Sequence, residues 1–295
     1  MFKKTLITLS GTLLLSSSAS FAFDDVKITS TEVSNNLHML VGKGGNVGVF
    51  VGKDGTFVID DQFAPLSDKL MAEIKNIGGD APKFLLNTHF HGDHSGGNEN
   101  FGKKGAMIVS HLNVRKRLME GSEIKEFGMV APPAPAEALP IMTFDSQMHF
   151  HINGEDVKAI HVPNAHTDGD SFIHFEKANV IHAGDIFFNG FYPFIDSTHG
   201  GSVKGMISAA TAILALSDDD TKIIPGHGPL ANKEDLNAYK KMLEFAERSL
   251  SSLKSEGLTK EQAQAKKPLK SLDKEWANGM FTSDKWIEII YPNAL

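Results

Sequence analysis

A chain of 295 residues, 41 % hydrophobic and 22 % charged, has ample material for a buried core and the make-up of a globular protein. Its net charge of −7 argues against nucleic acid as a partner, because an acidic surface repels a phosphate backbone. The lack of cysteine excludes disulfides and thiolate ligands, so any metal must be held by His, Asp or Glu.

The first 22 residues read as a secretory signal peptide. Lys3 and Lys4 form a basic n-region, Thr5 to Leu15 an apolar h-region, and Ser20-Phe21-Ala22 a small-x-small cleavage site ahead of Phe23. The apolar run is shorter than the ~20 residues a membrane span needs, and no later run is long and apolar enough. The expectation is an exported mature chain of residues 23–295, one domain with no membrane span, periplasmic if the source has two membranes. Without Lys3 and Lys4 its formal charge moves from −7 to −9.

From Val26 to Asp61 the pattern is strand-like. Runs at Leu37 to Val41, Val47 to Val51 and Thr56 to Ile59 are parted by Gly42-Lys43-Gly44-Gly45 and by the hairpin signal Lys53-Asp54-Gly55. Ser67 is placed to N-cap a helix with Leu70, Met71, Ile74 and Ile77 on one face and Gly78 beyond its end. Lys83 to Leu86 is the next strand, followed by a strand at Ala106 to Ser110 and a helix at His111 to Met119. The proline-rich stretch that opens with Ala131-Pro132-Pro133-Ala134-Pro135 reads as a long loop within one domain, or as a mobile flap over residues 131–140. Strands return around Met148 to Ile152, Val157 to His161, Ser171 to Phe175 and Val180 to Ala183. A helix at Val203 to Leu216, a strand at Lys222 to Ile224 and a long helix from about Lys233 to Ser255 follow, the last with an apolar stripe that suits core packing. Strands followed by helices in each half suggest two packed sheets with helices outside.

The densest chemistry is Asn87-Thr88-His89-Phe90-His91-Gly92-Asp93-His94-Ser95-Gly96-Gly97-Asn98, directly after a strand. Three imidazoles and a carboxylate within six positions, in a glycine-marked loop, suit a divalent metal. Three later loops each place a further potential ligand after a strand: Asn164-Ala165-His166-Thr167-Asp168-Gly169-Asp170, His182-Ala183-Gly184-Asp185 and Pro225-Gly226-His227-Gly228.

Taken in order, His-x-His-x-Asp-His, a later His, Gly-Asp and Gly-His-Gly resemble the metallo-β-lactamase superfamily over roughly residues 46–228. The resemblance implies an α/β fold: a four-layer αββα sandwich of two mixed β-sheets with helices on the outer faces. Its ligand set is most similar to the glyoxalase II type of dinuclear site. That pattern puts His89, His91 and His166 on one metal and Asp93, His94 and His227 on the other, with Asp185 bridging. The implied cofactor is two Zn²⁺ per chain, with iron or manganese as substitutes. The implied activity is hydrolysis of an acyl bond (β-lactam, lactone, ester or thioester) by hydroxide that Asp93 orients, as in dinuclear metal catalysis. Two divalent ions outweigh two carboxylates and a hydroxide, which favours a small anionic substrate.

The resemblance leaves the substrate open. A β-lactamase suits an exported protein. Yet Asp185 stands where many true β-lactamases have Cys or leave the bridge unfilled, and Phe188 stands where a basic residue often grips the drug's carboxylate. The alternatives are a mononuclear iron sulfur dioxygenase on the same fold and a non-catalytic metal-binding protein. Beyond the seven ligands, Asp60 is expected to hydrogen-bond the metal loop or to cap a turn, Asp168 and Asp170 to brace their loop or reach the metal, and His182 to pack or support a ligand. His149 and His151 alternate on a solvated strand face, and His38, His111, His161 and His174 need no special role. Phe187 to Phe194 is either core strand and turn or part of the substrate cleft, through Tyr192, Phe191 or His199.

Overall fold

The computed structural model describes residues 21–295, so the leader read over residues 1–22 lies outside the described residues but for its last two positions. The first sheet is built from β1 (Thr29–Ser34), β2 (Leu37–Val41), β3 (Val47–Phe50), β4 (Thr56–Ile59), β5 (Pro82–Asn87) and β6 (Met107–His111). A two-stranded hairpin of β7 (Ser122–Ile124) and β8 (Met129–Ala131) then stands apart, before β9 (Met142–Phe144) closes that sheet beside β6. The strands from β1 to β4 pair antiparallel, whereas β4, β5, β6 and β9 run parallel. The second sheet runs β10 (Gln147–Ile152), β11 (Glu155–His161), β12 (Ser171–Phe175), β13 (Val180–Phe188), β14 (Lys222–His227) and β15 (Ala231–Asn232), with only β13 and β14 parallel.

Alternation along the strands explains the layering. In β4, Phe57 and Ile59 point into the core between the sheets, while Val58 points out to the helix Ser67–Asn76. In β10, Phe150 and Ile152 are buried and His149 and His151 are exposed, as their spacing predicts. The inter-sheet core draws on both sheets, and Phe57 meets Phe150 edge-on with ring centroids 5.0 Å apart. Outside the second sheet, the helices Val203–Leu216, Lys233–Ser255 and Ser283–Asn293 cover β13 and β14. Helix, sheet, sheet, helix is the expected αββα order.

Local chemistry refines several expected boundaries. Ser67 is the first residue of its helix and Leu66 the N-cap; the Ser67 hydroxyl instead accepts from the Asn100 side chain at 3.0 Å. The Lys233–Ser255 helix starts from a capping box between Asn232 and Asp235. Residues 122–130, unassigned by sequence, form the β7–β8 hairpin together with Ala131, which the sequence reads as the start of the proline-rich loop; the periodicity is too short to announce the hairpin.

The tail after Ser255, also unassigned, ends in the helix Ser283–Asn293. Its Trp286 is fully buried, stacks on Tyr192 at 4.7 Å and donates its indole N–H to the Pro193 carbonyl at 2.7 Å. This clamps the turn that carries Phe191 and Phe194. Trp286→Ala is expected to destabilise the protein by about 3–5 kcal/mol, through a cavity and an unpaired carbonyl. Chemical denaturation measures it; a loss below about 1 kcal/mol would show that the tail merely rests on the fold.

Candidate metal centre

The ligand-type side chains gather where parallel strands end, the edge at which open α/β sheets hold ligands. The loop after β5 presents His89 and His91, then the single turn Gly92–Ser95 presents Asp93 and His94. Asp185 lies within β13, His227 ends β14, and His166 lies in the loop between β11 and β12. All seven predicted residues meet, in two groups. One holds His89, His91, His166 and Asp185; the other holds Asp93, His94 and His227. Within each group one ligand atom per residue lies within 4.8 Å of the rest.

Asp185 faces both groups. Its Oδ2 lies 3.4 Å from His166 Nε2 and 3.8 Å from His89 Nε2, and its Oδ1 lies 2.9 Å from His94 Nε2 and 3.4 Å from His227 Nε2. His227 Nε2 is also 3.2 Å from Asp93 Oδ2, and His166 Nε2 is 2.8 Å from His91 Nδ1.

The outward ring nitrogens show whether this donor set fits metal ions. His166 Nδ1 lies 2.9 Å from the Phe194 carbonyl, an acceptor only, so the proton sits on Nδ1 and Nε2 turns its lone pair inward. His94 Nδ1 is paired to Asp60 at 2.7 Å, and His91 Nε2 to Asp196 at 3.0 Å. His89 Nδ1 lies 3.0 Å from the Thr88 hydroxyl, and its buried Nε2 has no hydrogen-bond partner. Inward lone pairs, an orphaned buried nitrogen and carboxylate-oriented imidazoles are what a metal centre needs. The donors fit two divalent ions.

Electrostatics in the bare chain divide the imidazoles: His89 and His166 are held neutral, whereas His94 and His227 hold a proton that a metal would displace. Burial would disfavour the ionised Asp185 carboxyl, yet His94, His227 and His166 hold it well below the usual carboxylate range. Burial works against charge on His94 too, but Asp185, Asp93 and Asp60 raise its pKa well above the ordinary value. Deeper in, burial first and then His94 keep His89 neutral, and burial lowers His166 to about 4. Neutral imidazole is the form that ligates.

Two glycines make the convergence possible. A Cβ at Gly45 would come within 2.0 Å of the His94 ring, and one at Gly226 within 2.0 Å of Asp185 Oδ1. The Gly226 contact explains the small residue before His227. Gly45 looked like an ordinary turn glycine in sequence.

The supporting residues sort as follows. Asp60, held at φ 62°, accepts from the Thr88 backbone N–H at 2.7 Å and hydroxyl at 2.8 Å besides meeting His94. Asp170 braces its loop by accepting from the backbone N–H groups of His166 and Thr167 and from the Thr167 hydroxyl. Asp168 pairs with Arg117 at 2.7 Å. His182 Nε2 lies 3.1 Å from the Asn46 carbonyl, and the Asn46 side chain donates to the carbonyls of Pro225 and Gly228, tying the His227 loop down.

Tyr192 does not reach the cleft; it is buried against Trp286, its hydroxyl 3.4 Å from Asp273. Phe191 does line it, whereas His199 is buried behind His91. The proline-rich segment borders a smaller cavity beside His91.

Asn46, Thr88 and Asp196 carried no sequence signal. Asp196 is the most consequential. Its Oδ2 meets both His91 Nε2 at 3.0 Å and His199 Nδ1 at 2.6 Å, and those bonds hold its pKa low against burial. Asp196→Ala is expected to weaken metal affinity at the His89–His91–His166 group by about 10- to 100-fold. Competition with a chromophoric chelator measures it; unchanged affinity would show Asp196 to be idle.

Asp61 gives a separate pH signature. It accepts from the Gly97 N–H at 2.8 Å through Oδ1, but its Oδ2 is buried without a partner. Burial raises its pKa well above 3.8. The folded chain therefore keeps a proton there that the unfolded chain has already lost, and stability falls as pH rises above the ordinary value. Asp61→Asn removes that loss, so in metal-free protein its stability relative to the parent should rise as pH climbs from about 4 toward neutrality. Parallel melting curves across that range would refute it.

A family model described as the metallo-beta-lactamase superfamily matches residues 40–227. The chain belongs to the metallo-β-lactamase superfamily. It is accordingly a metal-dependent hydrolase of the metallo-β-lactamase-like kind. Solved structures with this superfamily fold superpose on most of the chain. A metallo-β-lactamase from Cronobacter sakazakii has a TM-score of 0.64 at 16 % identity, covering 80 % of this chain and 99 % of its own. One from Pontibacter korlensis has a TM-score of 0.60 at 17 % identity, covering 74 % and 99 %. The sec-alkyl sulfatase PisA1, as a double mutant, has a TM-score of 0.62 at 15 % identity, covering 84 % of this chain and 46 % of its own. At such identities the likeness is one of fold.

Proposed function

We propose that this chain is an exported, dinuclear zinc-dependent hydrolase that opens an acyl bond in a small molecule, a β-lactam, lactone, ester or thioester. The observation behind this reading is Asp185, whose two oxygens face two separate groups of imidazole and carboxylate donors. His89, His91 and His166 would hold one ion, Asp93, His94 and His227 the other, and Asp185 both. Two divalent ions, when bound, acidify a shared water and draw electron density from a carbonyl oxygen.

The chain's own groups do the rest. Asp93 sits at the mouth of the centre, with its pKa lowered to about 2 by His94 and His227 against burial. It stays ionised at neutral pH and can align an attacking water through a hydrogen bond. Phe188 lies over His227 with ring centroids 5.2 Å apart and shields that side from bulk water. Net positive charge at the loaded centre would stabilise an anionic substrate or a developing oxyanion.

Export is supported by the leader, and Phe23, the first mature residue under this reading, packs on Phe63 at 5.5 Å. A native protein whose sequence begins at Met1 would refute the export reading.

The deciding experiment is metal analysis followed by a chromogenic cephalosporin, an aryl lactone, a thioester and a phosphodiester, with and without chelator. Two zinc per chain and chelator-sensitive acyl cleavage are expected. One iron per chain with oxygen uptake would replace the proposal with a dioxygenase, and no turnover on any substrate would overturn it.

A further inference from the structure

The space beside the centre is unlike a site built around a substrate's carboxylate. A cavity of 560 Å³ opens onto His91, Asp93, Asp185 and His227, within the size range of small-molecule pockets. Its remaining wall is mostly Phe127, Phe188, Phe191, Phe194, Met129 and Met280. Among the described residues Lys43 is the one lysine or arginine along it, and its Nζ stands 4.9 Å over the Phe23 ring.

The apolar wall continues to the mouth, where Phe127 is 39 % and Met280 64 % exposed. Apolar side chains of this size at a rim mark contact with an apolar ligand. The wall is also held in place: Phe194 packs on Phe127 at 4.8 Å, and its neighbour Pro193 receives the Trp286 N–H.

A second cavity, of 230 Å³, shares His91, Gly92, Ile124 and Met129 with the first, so both border the β7–β8 hairpin. Leu118, Val130 and Pro135 contribute to its apolar wall. Its charged side chains are already engaged, Arg117 with Asp168 and Glu99 with Lys103.

We propose that the substrate is an acyl compound with an apolar chain, laid along the phenylalanine wall with its carbonyl at the centre. Long chains reach past Ile124 and Met129 into the second cavity. This rests on the acyl-hydrolase reading and narrows it to lipophilic esters, thioesters or lactones. Each methylene transferred from water to this wall should improve kcat/KM about three- to fourfold until the cavities are filled.

The test uses the zinc-loaded protein with p-nitrophenyl acetate, butyrate, octanoate and decanoate. Octanoate should exceed acetate by at least about 100-fold in kcat/KM, mostly through KM. Phe191→Ser and Met129→Ser should each reduce the octanoate-to-acetate ratio by about tenfold or more.

Titration calorimetry of octanoate and acetate into metal-free protein reads the cleft without chemistry, and octanoate alone should bind measurably. Chelator-sensitive hydrolysis with no dependence on chain length would overturn this inference and leave the acyl-hydrolase reading standing. Absence of chelator-sensitive turnover on every ester, and on the cephalosporin, lactone and thioester as well, would overturn that reading, and the titration would then decide the apolar cleft by itself. Equal binding of acetate and octanoate would sink it.

Discussion

Asp185→Asn is expected to lower turnover by roughly three powers of ten or more and to leave at most one of the two ions proposed for the centre. Asparagine keeps the shape of the side chain and removes the charge that both groups share. In the parent chain Asp185 Oδ1 stands 2.9 Å from His94 Nε2 and 3.4 Å from His227 Nε2, while Oδ2 faces His166 and His89. With a neutral amide there, four imidazoles lose their common counter-charge.

The metal-free protein gives an independent readout. Burial opposes charge on His227, but Asp185 and then Asp93 lift its pKa to about 9. In the variant this value should fall toward that of an ordinary histidine, visible by NMR titration. A variant that still binds two zinc ions and turns over near normally would remove the bridge from the scheme.

The second large effect concerns Asp93. Its Oδ2 lies 3.2 Å from His227 Nε2 and 3.8 Å from His94 Nε2, and the side chain is 28 % exposed at the cavity mouth. It is thus the acidic group of the set with the best access to an incoming substrate. Asp93→Ala should lower kcat by roughly three powers of ten, since it removes both the group that aligns the attacking water and a holder of one proposed ion. The His89–His91–His166 group should keep its ion, so metal content should fall to about one rather than zero. Near-normal turnover would eliminate Asp93 as the aligning group and shift attention to Asp185.

Much of the fold was legible because periodicity is local. Leu37 to Val41, Ser171 to Phe175, Val203 to Leu216 and Lys233 to Ser255 coincide with observed elements, each with a β-rich run or a helical stripe within a short window. Where that information ran out, so did the reading. The β7–β8 hairpin is only three residues per strand, the helices Lys260–Ala265 and Asp273–Trp276 are short, and the burial of the last helix, Ser283–Asn293, comes from partners far up the chain. Trp286, deeply buried, has no local feature that names Tyr192 and Pro193 as its neighbours.

By itself, then, the sequence determined which residue types stood after which strands, and from that, with the family resemblance, came the layered αββα fold and the seven side chains that the structure brings together. Strand ends and tight glycine loops are written in adjacent residues. Only the tertiary structure decided which nitrogen of each histidine faces inward, because that depends on Asp60, Asp196 and the Phe194 carbonyl, which lie 34, 105 and 28 positions from the rings they orient. It also decided that Phe191 and not Tyr192 lines the cleft. Both belong to one aromatic stretch, and packing against the C-terminal helix turned one toward the core and left the other at the site.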